Sequence, residues 1–173
     1  TTFVADGMTA EITAANLTVT ANDAVANGTT TNAVQAVVTD ASGNKVAGQT
    51  VSFSANNGAT VTTVIGTTGA DGIATATLTS TTAGSSTVTA TVNGKSQTVS
   101  VSFVADGTTA EITAANLTVT ADDAAANGTE TNAVQAVVTD ASGNKVAGQT
   151  VNFSANNGAT VTTVIGTTGA DGI

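Results

Sequence analysis

Four of the carboxylates that recur at matching places in the sequence are the side chains best suited to chemistry. Asp6 and Glu11 return one hundred residues later as Asp106 and Glu111, and the second pair falls in the segment 104–113 that joins two repeats. Calcium is bound by carboxylate and carbonyl oxygens, roughly six to eight per ion. Asp106 and Glu111 are therefore predicted as candidate ligands of a calcium ion that would stiffen the junction.

The alternative interpretation is a solvated turn without a metal. The dipeptide Asp106-Gly107 is a common turn signal, the acids are sparse, and no Asp-x-Asp-x-Asp run is present. Asn22 of the first copy is replaced by Asp122 in the second, so a metal site there would differ between copies. Both interpretations stay open on the sequence alone, and no other cofactor is predicted.

Catalytic residues are predicted to be absent. The chain contains neither His nor Cys, so an activated Ser or Thr nucleophile would have no conventional base beside it. The three lysines, Lys45, Lys95 and Lys145, each follow a turn residue and are expected to be exposed. The sequence therefore predicts that the protein is not an enzyme.

The charge balance excludes another class of function. Twelve acidic residues against three lysines give a formal net charge of -9. Such a surface repels phosphate, so no nucleic acid partner is expected. No stretch is long and apolar enough to span a bilayer, so the chain is not expected to be membrane-embedded.

The sequence repeats with a period of 100 residues. When residues 1–73 are aligned with 101–173, only seven of the 73 pairs differ. A fixed period with near-identity is typical of a tandem array, in which the units act by being strung together.

Apolar and polar residues alternate along the first copy with the period of two that half-buried strands show. In 86–92, Val88, Ala90 and Val92 share one face, and threonines lie between them. The pattern predicts six further strands, around 16–20, 32–38, 51–53, 61–65, 74–79 and 97–103.

Turn signals separate these strands, at 40–45, Asn57-Gly58, Asp71-Gly72 and Asn93-Gly94. No segment sustains a helical period. Seven or so short strands in about 100 residues predict an all-β fold, with tandem immunoglobulin-like antiparallel β-sandwich domains.

The repeat boundaries predict four segments. These are a tail of a preceding repeat or a linker at 1–9, a complete domain at 10–104, a junction at 105–109, and a second domain at 110–173 that lacks its C-terminal strands. Two explanations fit the second domain: the chain is a fragment, or a neighbouring chain supplies the missing strands.

Two runs resemble bacterial Ig-like repeats of the invasin/intimin class. They are NAVQAVVTDASGNKVAGQTVSF at 32–53 and TGADGIATATLTS at 68–80. The resemblance implies the stalk of an inverse autotransporter adhesin. It also implies an extracellular location on the bacterial cell surface, with anchoring in the outer membrane through regions absent from this sequence.

Repetition and resemblance together predict a non-catalytic spacer that holds a distal binding tip away from the cell. The expected partners are neighbouring repeats in the same chain, and the sequence does not identify a host or bacterial surface receptor. Two alternatives stay open. One is a directly adhesive or self-associating module that binds through its sheet edges, and the other is an Ig-like domain of a phage virion protein.

Overall fold

The computed structural model describes every residue from Thr1 to Ile173 and divides the chain into two compact units, Thr1–Val104 and Ala105–Ile173. The only helices are single 3-10 turns, at Gly7–Thr9, Ala14–Asn16, Gly107–Thr109 and Ala114–Asn116. None of them is long or apolar enough to cross a membrane.

The first unit contains eight strands. They are β1 (Leu17–Ala21), β2 (Ala24–Val25), β3 (Asn32–Val37), β4 (Ser52–Ala55), β5 (Thr60–Ile65), β6 (Ile73–Thr79), β7 (Gly84–Val92) and β8 (Lys95–Val104). The seven strands predicted from alternation are all present. The eighth, β2, has only two residues and no alternation that could have revealed it.

These strands form two four-stranded sheets, in the orders β1-β3-β6-β5 and β2-β8-β7-β4. The predicted all-β sandwich is thus confirmed. All pairings are antiparallel except one, since β2 runs parallel to β8 with Ala24 opposite Phe103. This pair joins an early part of the unit to its last strand.

The core consists of small and β-branched side chains, as the composition predicts. The predicted inner face of β7, Val88, Ala90 and Val92, is buried. Leu78 on β6 is the largest fully buried side chain and packs in one of two apolar clusters. Because few aromatic residues are available, each buried side chain covers little area.

A buried asparagine connects the two sheets inside this core. Asn32 begins β3 and is fully buried; its Oδ1 accepts from the Ala24 N–H at 3.0 Å, and its Nδ2 donates to the Ser102 carbonyl at 2.8 Å. Ala24 and Ser102 lie on β2 and β8 of the other sheet. The amide therefore satisfies backbone groups that sit at the sheet-to-sheet contact.

One predicted strand differs from the others in its environment. β5 is at the edge of its sheet, and a bulge between Thr63 and Ile65 shifts its register against β6. As a result Val64 and Ile65 are 62% and 44% exposed. The strand position predicted at 61–65 is right, but these two side chains do not contribute to the core.

The second unit contains two strands, β9 (Leu117–Ala121) and β10 (Ala133–Ala136), which pair with each other. The residues that match β4 and β5 form no strand. In the first unit those strands pair with β7 and β6, and the second unit has no counterpart of that ladder.

Burial in the second unit divides it into an open part and a packed part. Leu117 is 54% exposed whereas its counterpart Leu17 is 4% exposed, because the covering strands have no counterpart here. Val138 and Val146, in contrast, are buried like Val38 and Val46. The packed part surrounds the turn at 140–145.

Candidate functional site

The turn predicted at 40–45 is the most highly organised polar feature of each unit. The Asp40 N–H donates to the Asn44 carbonyl at 2.9 Å, and the Gly43 N–H donates to the Asp40 carbonyl at 2.9 Å. Gly43 has a φ of +83°, a conformation that glycine adopts without a steric penalty. The same turn recurs at 140–145.

The carboxylate of this aspartate accepts hydrogen bonds from its own turn and from a segment 34 residues earlier in the sequence. In the second unit the N–H groups of Ser142 and Asn144 donate to Oδ1 of Asp140 at 2.9 and 2.8 Å. Oδ2 accepts from the Asn144 side-chain amide at 2.9 Å and from the Asp106 N–H, also at 2.9 Å. The last contact reaches across 34 residues.

The first unit repeats this arrangement with the same atoms. The Asp6 N–H donates to Oδ2 of Asp40 at 3.1 Å, and Ser42 and Asn44 occupy the positions of their counterparts. Both aspartates are almost fully buried as residues. We call each aspartate with its four donors a carboxylate clasp.

The donors stabilise the charged form of these carboxylates. The Asn44 side-chain amide, which exerts the largest effect, and the N–H groups of Asp6, Asn44 and Ser42 lower the pKa of Asp40 to about 2. For Asp140, burial raises the pKa, but the donors outweigh burial and the pKa is lowered. Hydrogen bonds to the ionised form have this effect generally.

The two predicted calcium ligands, Asp106 and Glu111, belong to the segment that this clasp holds. Oδ1 of Asp106 accepts from the Thr108 N–H at 3.0 Å and so caps the 3-10 turn at 107–109. The backbone of Glu111 exchanges two hydrogen bonds with Thr139, at 2.8 and 3.0 Å. Within the predicted junction 105–109, Asp106 and Thr108 are thus held by hydrogen bonds to residues of the second unit.

Their counterparts in the first unit have further partners. Glu11 forms an ion pair with Lys95, with 3.1 Å between Oε2 and Nζ. Asn93, in the turn between β7 and β8, donates to the carbonyls of Gly7 and Ala10. Within the segment 1–9 that was predicted as a tail or linker, Asp6 and Gly7 thus contact the first unit.

The structure assembles no group of three or more Asp or Glu side chains that could hold a metal. Asp106 already accepts a backbone N–H, and the nearby Asp140 carboxylate is surrounded by donors rather than by further oxygens. Calcium binding by Asp106 and Glu111 stays a prediction. A calcium titration that follows the amide signals of both residues tests it directly.

Two surface depressions each contain a single ionisable residue and therefore no pair of groups suited to proton transfer. A surface depression of about 360 Å³ on the first unit contains Lys45 as its one ionisable residue, and a depression of about 250 Å³ on the second unit contains Glu111. Lys45, Lys95 and Lys145 are exposed, as predicted.

The residue that sequence reasoning missed is the clasp aspartate. The run Asp-Ala-Ser-Gly-Asn-Lys at 40–45 predicts a turn, and an Asp followed by Ser and Asn at two and four positions is the pattern of a side chain that binds its own turn. What the sequence did not show is the fourth donor, the distant N–H of Asp6 or Asp106.

Comparisons with known proteins agree with this fold. Residues 14–104 and 114–173 match the family described as bacterial Ig-like domain (group 1). The inverse autotransporter adhesin YeeJ of Escherichia coli (strain K12) is 34% identical over 158 residues, which is 87% of this chain and 6% of the adhesin. The chain thus spans a small part of that relative.

Solved structures show the same relationship. The crystal structure of invasin, a bacterial integrin-binding protein, matches 84% of this chain and 29% of its own, with 27% identity and a TM-score of 0.60. InvD of Yersinia pseudotuberculosis matches 79% of this chain and 44% of its own, with 18% identity and a TM-score of 0.57, and shows the fold alone.

These matches confirm the resemblance to invasin/intimin-type repeats, and they confirm that the chain is a non-enzymatic, adhesin-related module. Both copies of the repeat fall within the matched residues. The chain belongs to the family of bacterial Ig-like domains (group 1).

Proposed function

We propose that this chain is a segment of a bacterial surface stalk, in which Ig-like units hold a distal binding tip away from the cell. The observation that carries the proposal is the near-identity of the copies, with seven differences in 73 aligned pairs. Adding an identical unit adds length but no new chemical group. Units of this kind therefore suit a part whose extent matters more than its surface chemistry.

The location proposed for the stalk is the outside of the bacterial cell, with anchoring in the outer membrane through other regions of the protein. The relatives that support it are YeeJ, described as an inverse autotransporter adhesin, and invasin. The acidic surface, with a net charge of -9, favours solubility and keeps neighbouring copies apart.

The experiment changes the number of repeats in the full-length adhesin that carries this chain. The longest strand, β8, has ten residues, and at about 3.3 Å per residue it spans about 33 Å. Deleting or duplicating one 100-residue repeat should therefore move the tip by about 30–40 Å, measured by atomic force or immunogold electron microscopy. Receptor affinity of the displayed tip should be unchanged.

The opposite outcome would contradict the spacer function. If deleting one repeat abolishes adhesion while the tip is still displayed and still binds its receptor in solution, the repeats themselves bind. A control that replaces the deleted repeat by an unrelated sandwich of similar length separates lost length from lost contacts.

A second candidate function, self-association, is favoured by the edge strand β5. Thr60–Ile65 contains no charged residue and no proline, and it exposes Val64 and Ile65. Natural edge strands usually carry charges, prolines or bulges that prevent pairing with another chain, and here the bulge is the only such device. A β5 edge could add a strand from a second copy.

Sedimentation velocity of the 173-residue chain over a range of concentrations tests this candidate. Self-association through β5 predicts a dimer that V64K abolishes, because a lysine would enter the new strand pair. T98K places the same charge on an exposed position of β8 and should leave the dimer intact. A monomer at all concentrations, or equal effects of both variants, would exclude the β5 edge.

A further inference from the structure

We propose that Asp140 and Asp40 are positioning residues that fix the inter-repeat segment on the domain that follows it, so that Ala105 alone links two anchored stretches of backbone. The biological use of such a joint rests on the proposed stalk function. The anchoring itself is a property of the fold and can be tested separately.

The first anchored stretch is the end of β8. Val104 is the last residue of this strand and lies opposite Val25 in the parallel pair. Its carbonyl accepts from the Ala26 N–H at 2.8 Å. Because the peptide unit is planar, this hydrogen bond holds the whole 104–105 peptide plane on the first unit.

The second anchored stretch begins one peptide later. The Asp106 N–H donates to Oδ2 of Asp140 at 2.9 Å, which holds the 105–106 peptide plane on the second unit. The cap at Thr108 and the paired backbones of Glu111 and Thr139 secure the residues that follow.

The connection between these planes has very few degrees of freedom. Each peptide bond is rigid, so only φ and ψ of Ala105 lie between the two anchored planes. Linkers of several glycine or serine residues would instead behave as flexible coil. The clasp therefore replaces a flexible linker by a single-residue joint.

The clasp is built locally and does not depend on a complete sandwich. The contact between Asp106 and Asp140 is present although Leu117 is exposed, and it has the same geometry as the contact between Asp6 and Asp40 in the complete first unit. Each repeat thus carries its own anchor for the segment that precedes it.

The test measures hydrogen exchange of individual amides by NMR in the 173-residue chain. In D140N one carboxylate oxygen becomes an NH2 group that cannot accept, and the remaining oxygen is uncharged, so the Asp106 N–H loses its acceptor or keeps only a weaker, neutral one. Exchange at Asp106 should rise about ten- to a hundred-fold, the factor expected when a hydrogen bond to a charged group is lost. The Thr139 amide reports whether the unit stays folded.

Two further variants make the result decisive. N144A weakens the turn but leaves the carboxylate that accepts from the Asp106 N–H. Exchange at Asp106 should therefore stay within about three-fold of wild type, well below the rise expected when a charge-assisted hydrogen bond is lost. If D140N unfolds the second unit, D40N is compared at the Asp6 amide in the complete first unit. Unchanged exchange at Asp106 in folded D140N, or at Asp6 in D40N, overturns the proposal.

The consequence for the joint is measured in the same samples by NMR relaxation. In wild type the Asp106 amide should be as rigid on the nanosecond timescale as the Thr139 amide, and in folded D140N it should become more mobile while D40N leaves it unchanged. An Asp106 amide more mobile than that of Thr139 in the wild type would overturn the anchoring. None of these readouts involves adhesion or tip height, so their failure is distinguishable from failure of the stalk function.

Discussion

Replacing the buried Asn32 by alanine should destabilise the first unit more than any surface substitution. The amide of Asn32 accepts from Ala24 and donates to Ser102, and the side chain is fully buried. In N32A the Ala24 N–H loses its acceptor and the Ser102 carbonyl loses a donor, in a place that water does not reach.

The magnitude follows from these two contacts. A buried polar group left without a partner costs about 1–3 kcal/mol, and each lost hydrogen bond about 1 kcal/mol. We expect the free energy of unfolding of the first unit to fall by about 2–4 kcal/mol. For a unit of about 100 residues this corresponds to a decrease in Tm on the order of 10–25 °C.

The chain provides its own matched control. Asn132 occupies the same place in the second repeat and its Oδ1 accepts from the Ala124 N–H at 2.9 Å, but the residue is exposed. Water can replace the lost bond there, so N132A should change stability by less than about 0.5 kcal/mol.

The assay is urea unfolding, followed for N32A through the amide signals of Val34 and Leu78 in the core of the first unit and for N132A through the amide signal of Val138, which is buried in the second unit. An N32A midpoint equal to that of wild type would refute the reasoning. So would an N132A midpoint lowered as far as that of N32A, because the cost could then not come from burial.

Three other substitutions test the packing, the turn and the clasp. L78A should cost about 2–5 kcal/mol because it empties a fully buried site, whereas V64A at an exposed position should cost under about 0.5 kcal/mol by the same urea assay. G72A places a Cβ 2.6 Å from a carbonyl oxygen at a φ of +69°, and G43A meets open space at a φ of +83°; calorimetry should show a clearly lower Tm for the first than for the second. The pKa of Asp40 is lowered from 3.8 to about 2 in the folded chain, so its contribution is present above about pH 4 and is lost as pH falls towards 2. The stability difference between wild type and D40N should therefore shrink over that range, and a difference that stays constant would contradict the cause given for the shift.

Local patterns in the sequence were enough to predict most of the first unit. Alternation placed Val88, Ala90 and Val92 on a buried face, and the turn at 40–45 forms as predicted. Such features depend on residues close in sequence, and the turn recurs at 140–145 in the near-identical second repeat.

The features that sequence did not reveal depend on distant partners. The two-residue strand β2 exists only because β8 lies beside it. The clasp needs the N–H of Asp6 to return to Asp40, and the exposure of Val64 follows from a bulge and an edge position. Leu17 and Leu117 have the same neighbours in sequence, yet Leu17 is buried and Leu117 is exposed, because only the first unit has the strands that cover this position.

The parallel pair of β2 and β8 determines when a unit can finish folding. The Ser102 N–H donates to the Asn22 side chain across 80 residues, so the closing contacts join nearly opposite ends of the unit. Contacts of such long range make folding slow, since the loop must close before the contact is gained.

A growing or translocating chain that presents its N-terminal end first must therefore wait for β8 before the sandwich closes. Until then the unit exposes the side chains that are open in the second repeat, Leu117, Val119 and Val134. Near-identical neighbours offer interchangeable surfaces during that interval, so exchange of strands between repeats is the characteristic misfolding event.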